Sequence, residues 1–461
     1  MSLVEPDLAP PRLREPTLAA PIKHEIFWRE TEEVTPGPPL SSTRYCDVAL
    51  VGGGYTSLWT AYMLKQEQPN LDIQIVESEF AGAGASGHND GFITPTIGHS
   101  LHTTVKQFGL EQAAASFRSV GRSILDIRRF CRRHEVNAEL QPGGFLLVAT
   151  NRGQLRRLES DIALARKMGV TYDVLDAAEL QGLLASPGLV GGLRTPGALV
   201  NPHRLVRGLT RVVRELGVDV HEQTPALAID KQSDRHVVTT PRGRLIAGRL
   251  VLATDAYQHQ WRSFRQSVKP VWSYALVSEP LTDEQLSRVH WPEHDGFVEA
   301  RNFITFGRLT AQRRLLFGGG PAPYFYGRDM GRFRIVNPNP EFLAREALRW
   351  FPQWRDLRWT HSYGGCIGIT RDLVPHVGRT PDGVFYAYGY CGNGIAMTHA
   401  AGRSLCDMVL DRQTDLTGLP FVKARHPRFP VEPLAFAAAK TLAGAAAVQD
   451  RYPRLLPRQL I

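Results

Sequence analysis

The sequence predicts a mixed α/β protein (α+β in its second part): a parallel-sheet domain assembled from several chain segments, with a mostly antiparallel β-sheet domain inserted between them. Three observations carry this expectation. Residues 46–77, CDVALVGGGYTSLWTAYMLKQEQPNLDIQIVE, read as strand, glycine turn, helix and strand in succession. Two later blocks, 141–199 and 266–365, carry the strand-like β-branched and aromatic runs. A second strand–turn–helix then follows over residues 383–410.

The first stretch fits a β-α-β dinucleotide fingerprint in its proper context. Val48, Ala49, Leu50 and Val51 form a continuous apolar run, as a strand buried on both faces requires. Gly52 permits the tight turn, and Gly54 lets a pyrophosphate approach the backbone. The helix over residues 55–64 offers free N–H groups and its positive dipole end to that phosphate. Ser57 stands at the third glycine position and is small enough for close helix–strand packing, and Glu77 is placed to accept hydrogen bonds from a ribose.

Composition narrows the class further. The 461 residues suffice for two domains, and 43% hydrophobic with 21% charged residues is ordinary for a globular protein. The net charge of +9 comes from dispersed arginines without a nucleic-acid-binding motif or basic tail, which argues against a nucleic-acid partner. Five scattered cysteines, no zinc-ligand spacing, no apolar run of membrane-spanning length and no signal-peptide pattern predict a cytoplasmic protein without a metal.

Along the chain, residues 1–43 form a proline-rich extension (Pro6, Pro10, Pro11, Pro16, Pro21, Pro36, Pro38, Pro39), with Ile22, Phe27 and Trp28 as its packing anchor. The nucleotide-binding domain takes 44–140, 200–265 and 366–420; the substrate domain takes 141–199 and 266–365; a helical tail occupies 421–461. Helices are expected over 111–134, 154–168, 202–216, 341–350, 395–410 and 434–448, and the small-residue stretch 81–92 reads as a loop. A nucleotide domain interrupted twice by strand-rich blocks favours an extended FAD over NAD.

The likeness to a known family becomes specific at five motifs: VGGGYTSLWTA (51–61), GASGHNDGF (84–92), VLATDAY (251–257), ITRDLVPHVG (369–378) and YGYCGNGIAMTHAAG (388–402). Over about residues 44–410 the chain resembles the FAD-dependent D-amino-acid oxidase and glycine oxidase superfamily, and within it the γ-glutamylputrescine oxidoreductase-like proteins. It departs from them at His88 and Asp90, where arginine and glycine are common, and at Cys391 and Asn393, where the usual turn reads YSGHG.

The resemblance implies that Gly52, Gly54, Tyr55, Ser57, Glu77 and Ser78 hold the ADP half of FAD, and that Gly84, Ala85, Ser86 and Asn89 line the stretch from pyrophosphate to flavin. Ala226, Ala253 and Thr254 are further FAD contacts, and Gly392, Asn393, Gly394 and Ile395 face the flavin N1–C2 edge. The implied reaction is hydride transfer from the carbon beside an amine nitrogen to flavin N5, followed by imine hydrolysis and reoxidation by O2. The alternative is a dehydrogenase subunit or biosynthetic tailoring oxidoreductase that passes electrons to a partner. His88 could tune the flavin or deprotonate the substrate ammonium, or be simply hydrogen-bonded in its loop. Arg308 is the expected clamp for a carboxylate or phosphonate tail, with Tyr274 among the rings that surround the amine. Cys366 stands at or near the position that bonds covalently to flavin in monomeric sarcosine oxidases; a small buried thiol is the competing reading.

Overall fold

Ten elements position the site: β1 (Arg44–Val51), α1 (Tyr55–Glu67), β2 (Ile73–Val76), α2 (Arg152–Lys167), β3 (Arg244–Leu252), β4 (Lys269–Pro280), β5 (Trp359–Ile369), β6 (Phe385–Tyr388), α3 (Gly394–Val409) and α4 (Leu434–Arg451). They are taken from a computed structural model that describes residues 18–331, 335–422 and 427–452.

One eight-stranded sheet collects segments far apart in sequence. β1 lies between β2 and β3, parallel to both, with Val48 opposite Ile73 and Arg249. β6 joins β3 in parallel, and Asp219–His221 extends the sheet beyond β2. The apolar run of β1 is explained by its central place, where both faces need covering. α1 covers one face against α3; it is apolar all round because it is packed on several sides. The helices approach closely where Gly402 meets Trp59, since a Cβ on Gly402 would lie 2.8 Å from that of Trp59.

The second sheet has nine strands in the order Leu18–Lys23, β5, β4, Arg314–Gly319, Thr305–Leu309, Gly296–Glu299, Phe145–Ala149, Gly191–Thr195, Asp173–Leu175. It is antiparallel except where Leu18–Lys23 meets β5 and where Gly296–Glu299 meets Phe145–Ala149. Its outer face packs on Pro340–Trp350 through Trp272, Tyr274 and Leu276, while its inner face turns toward the first sheet.

Several expectations need correction. The boundary between residues 365 and 366 falls inside β5, which pairs with β4 in unbroken register from His361↔Val277 to Ile369↔Lys269 and so stays with the nine-stranded sheet to its end. The N-terminal extension adds an edge strand, Leu18–Lys23, to the sheet, while Phe27 and Trp28 are buried against Ala275, Val277 and Tyr363 as the packing anchor expected of them. Pro6, Pro10, Pro11 and Pro16 lie outside the described residues. The loop over 81–92 contains a short helix, Ala85–His88, and among the described residues three further helices, Leu101–Phe108, Ala177–Leu183 and Asp283–Ser287, go beyond those expected. All five cysteines are buried and free, and among the described residues no helix is long and apolar enough to cross a membrane.

Candidate active site

The glycine turn after β1 has the geometry of a phosphate cradle. Gly52 adopts φ of +102°, and a Cβ there would lie 2.8 Å from the Ala253 carbonyl oxygen, so glycine is required. Gly54 occupies the N-cap of α1 without a side-chain cap. The Tyr55 N–H donates to Ser86 Oγ at 3.0 Å, while the next N–H groups of the first turn have no intrahelical acceptor. Ser57 is fully buried at the helix–strand contact. Glu77, at the carboxyl end of β2, accepts from Gly53 N–H (2.6 Å), Ser78 Oγ–H (2.9 Å) and Glu79 N–H (3.0 Å), and burial raises its pKa against these bonds. Ala253 bonds back to Val51 O at 3.1 Å, Thr254 Oγ1–H donates to Gln258, and Ala226 packs half-buried near Thr224, whose N–H donates to Glu77 O at 2.7 Å. These residues gather at the carboxyl edge of the parallel strands, the usual place for a nucleotide in such a sheet.

From Gly54, Tyr55, Ala85, Ser86 and Ala253 a cavity of about 400 Å³ runs between the two sheets. On one side it meets the N-terminus of α3, lined by Gly392, Asn393, Gly394 and Ile395. Asn393 sits at the N-cap but does not cap: its Oδ1 accepts from Thr94 Oγ1–H at 3.0 Å and its Nδ2 donates to Gly98 O at 2.7 Å. The first-turn N–H groups of α3 therefore remain without a side-chain acceptor. Gly392 has φ of +91°, and a Cβ there would meet nothing within 4 Å. Two helix N-termini opening on one cavity, with Glu77 beyond one of them, suit a dinucleotide whose phosphates lie at α1 and whose ring lies near α3.

Not every expected residue reaches this cavity. Tyr274 is turned away because neighbours on a strand alternate faces: Ser273 and Ala275 line the cavity, while Tyr274 packs with Trp272 and Leu276 on the far face. Arg308 is no clamp. It is 1% exposed beneath the cavity wall, donating from Nη1 to the carbonyls of Val200 (2.8 Å), Asp90 (3.3 Å) and Gly91 (3.5 Å). Asn89 does line the cavity as expected, but its side chain holds its own loop, donating to Ala85 O and Ser86 O and accepting from Gly91 N–H, so both amide N–H groups are already used. Cys366 borders the cavity, but its Sγ lies 3.7 Å from Met330 Sδ in the core cluster of Trp272, and burial pushes its thiol pKa up.

His88 does line the cavity, yet its Nε2 accepts from Arg29 Nη2 at 3.1 Å. Burial, helped by the Arg29 charge, holds it neutral with a pKa down at about 3. With that lone pair committed, His88 is not placed as a base.

The cavity also contains residues to which the sequence motifs assign no role. Asp90 lines the wall beside Tyr363, whose Oη–H points to Asp90 Oδ1 at 3.4 Å. Burial pushes the Asp90 carboxyl up to about 7, with Tyr363 and Arg308 pulling the other way. Asp255 ties the end of β3 to the turn before α3 by accepting from Gly389 N–H at 2.7 Å. Tyr390 bonds Thr56 Oγ1 at 2.6 Å, joining the two helix N-termini. The available signal for Asp90 was its departure from glycine in a loop expected to face the ring.

A family model described as FAD dependent oxidoreductase (DAO) matches residues 47–408. The chain is 28% identical over 409 residues to γ-glutamylputrescine oxidoreductase of Escherichia coli (strain K12), covering 86% of this chain and 92% of that protein. It is 24% identical over 394 residues to glycine oxidase of Geobacillus kaustophilus (strain HTA426), covering 83% and 98%. A crystal structure of glycine oxidase from Geobacillus kaustophilus superposes with a TM-score of 0.70 at 22% identity, covering 84% of this chain and 100% of that one. An L-α-glycerophosphate oxidase from Mycoplasma pneumoniae, solved with FAD bound, superposes with a TM-score of 0.65 at 16% identity, covering 80% and 96%.

Proposed function

The chain belongs to the DAO family of FAD-dependent oxidoreductases, and on that footing we propose that it oxidises a C–N bond of a small amine or amino acid, giving an imine that water hydrolyses to a carbonyl compound and an amine. The relatives named above for γ-glutamylputrescine and glycine support an amine nitrogen in the substrate. When bound, FAD supplies the acceptor for the hydride that leaves the carbon beside nitrogen, and O2 takes the electrons onward as hydrogen peroxide.

The observation that carries this reading is the pairing of Asp90 with the uncapped N-terminus of α3 on one cavity. Oxidation needs the amine neutral, because a protonated nitrogen has no lone pair to assist hydride departure. A carboxyl pushed up to about 7 in a largely apolar wall accepts the ammonium proton near neutrality. The first-turn N–H groups of α3 favour negative charge that develops beside them. Phe92, two residues from Asp90 and also in the cavity wall, keeps water away from the reacting carbon.

The test is turnover of an amine panel in air, following peroxide and carbonyl together. Asp90 is a base only when ionised, so the rate rises as pH climbs through about 7. In Asp90→Asn that limb flattens and the rate falls about a hundredfold, in the usual range for losing a positioned base. An unchanged profile in Asp90→Asn would remove Asp90 from the chemistry. Carbonyl production that needs an artificial acceptor and yields no peroxide would show that electrons pass to a partner instead of O2.

A further inference from the structure

Arg157 is a charged group of the cavity wall whose hydrogen bonding is incomplete. It shares the inner face of α2 with Gln154, Leu158 and Asp161, at positions one helical turn apart, and its Nη1 is buried without an acceptor among the described residues. The ionisable groups around it already have hydrogen-bonding partners, including Asp450, whose charge also attracts Arg157. Arg301 lies 3.4 Å from Glu299 and Glu346 and 3.5 Å from Asp450. Glu299 also accepts from Thr150, Gln154 and Thr305, Asp161 pairs with His102 at 2.6 Å, and Asp450 accepts from the N–H groups of Asn302 and Phe303. A buried guanidinium N–H with nothing to bond is unfavourable, and in a cavity wall a ligand's acceptor relieves it.

We propose that Arg157 receives the carboxylate tail of the substrate, so that the amine oxidised in this cavity carries an anionic group at the far end of an apolar spacer. This rests on the reading that an amine is oxidised here, and adds the class of its other end. α2 packs on Phe145–Ala149, four strands along the sheet from β4, which is on the order of 20 Å at ordinary strand spacing. Phe145, Leu147, Leu193, Val298 and Phe306 line the cavity between, a surface suited to methylene groups. Tyr172 also lines the cavity and is a second candidate donor to the tail.

The experiment compares ω-aminoalkanoates of increasing length with their primary amides and with alkylamines of matched length, on FAD-loaded wild-type protein, Arg157→Met and Arg157→Lys. Wild type is expected to favour the carboxylate over its amide, increasingly with length until the tail reaches Arg157. Arg157→Met lowers that preference roughly tenfold to a hundredfold, the range for a lost hydrogen bond to a charged group, and Arg157→Lys restores part of it. Equal handling of carboxylate and amide by wild type, or an unchanged preference in Arg157→Met, overturns the proposal. If no amine reduces the flavin, the function proposed above fails, and binding decides this inference on its own. Plain alkanoates that perturb the flavin absorbance more weakly in Arg157→Met than in wild type support it; equal perturbation refutes it.

Discussion

Arg308→Ala is expected to lower stability by about 3 to 5 kcal/mol, the loss typical of emptying a large buried side chain and leaving polar groups unpaired. The guanidinium holds the carbonyls of Asp90, Gly91 and Val200 and lies 5.6 Å from the ring centroid of Trp28. It thereby joins the loop that carries Asp90, the strand pair around residue 200 and the N-terminal segment. Burial lowers its pKa to about 10, which still leaves it charged at neutral pH. Removing it leaves three carbonyls without this donor and a void under the cavity wall. The urea midpoint should fall with the slope unchanged. Normal stability with a raised KM for acidic amines would instead restore Arg308 as a substrate clamp.

Gly54→Val is expected to weaken FAD binding on the order of a hundredfold or more, which requires only about 3 kcal/mol. A Cβ at this position lies 2.9 Å from Ser86 Oγ, and the branched side chain would displace Ser86 from the Tyr55 N–H. It would also stand before the N-terminus of α1, where the pyrophosphate needs close backbone approach. The variant should fold yet purify with little flavin. Gly121→Ala is the control, since a Cβ there meets nothing within 4 Å, and it should stay yellow. Full flavin content in Gly54→Val would mean that the phosphates lie elsewhere.

Much of the nucleotide end was legible in the sequence because its determinants are local. The turn at Gly52, the N-cap at Gly54 and the strand end at Glu77 lie within 46–77, where spacing alone dictates geometry. The substrate end depends on contacts across long separations. Arg308 is decided by the carbonyls of residues 90, 91 and 200, which no local pattern reveals. Asp90 matters because burial raises its pKa, and burial follows from the packing of both sheets. Arg157 belongs to a helix whose charge pattern reads as solvent-facing until the cavity is seen. Two misses were avoidable. Alternation along β4 separates Ser273 and Ala275 from Tyr274, and Asp176 with Glu179 forms a capping box that marks the start of Ala177–Leu183.

The most direct measurement is anaerobic mixing of the FAD-loaded protein with amines bearing a carboxylate tail, following the visible flavin band. The proposed function predicts bleaching in a single turnover, with one carbonyl compound formed per flavin, at a rate that increases as pH rises through about 7 in wild type and not in Asp90→Asn. A flavin that stays oxidised with every amine, while dithionite still reduces it, would contradict amine oxidation in this cavity.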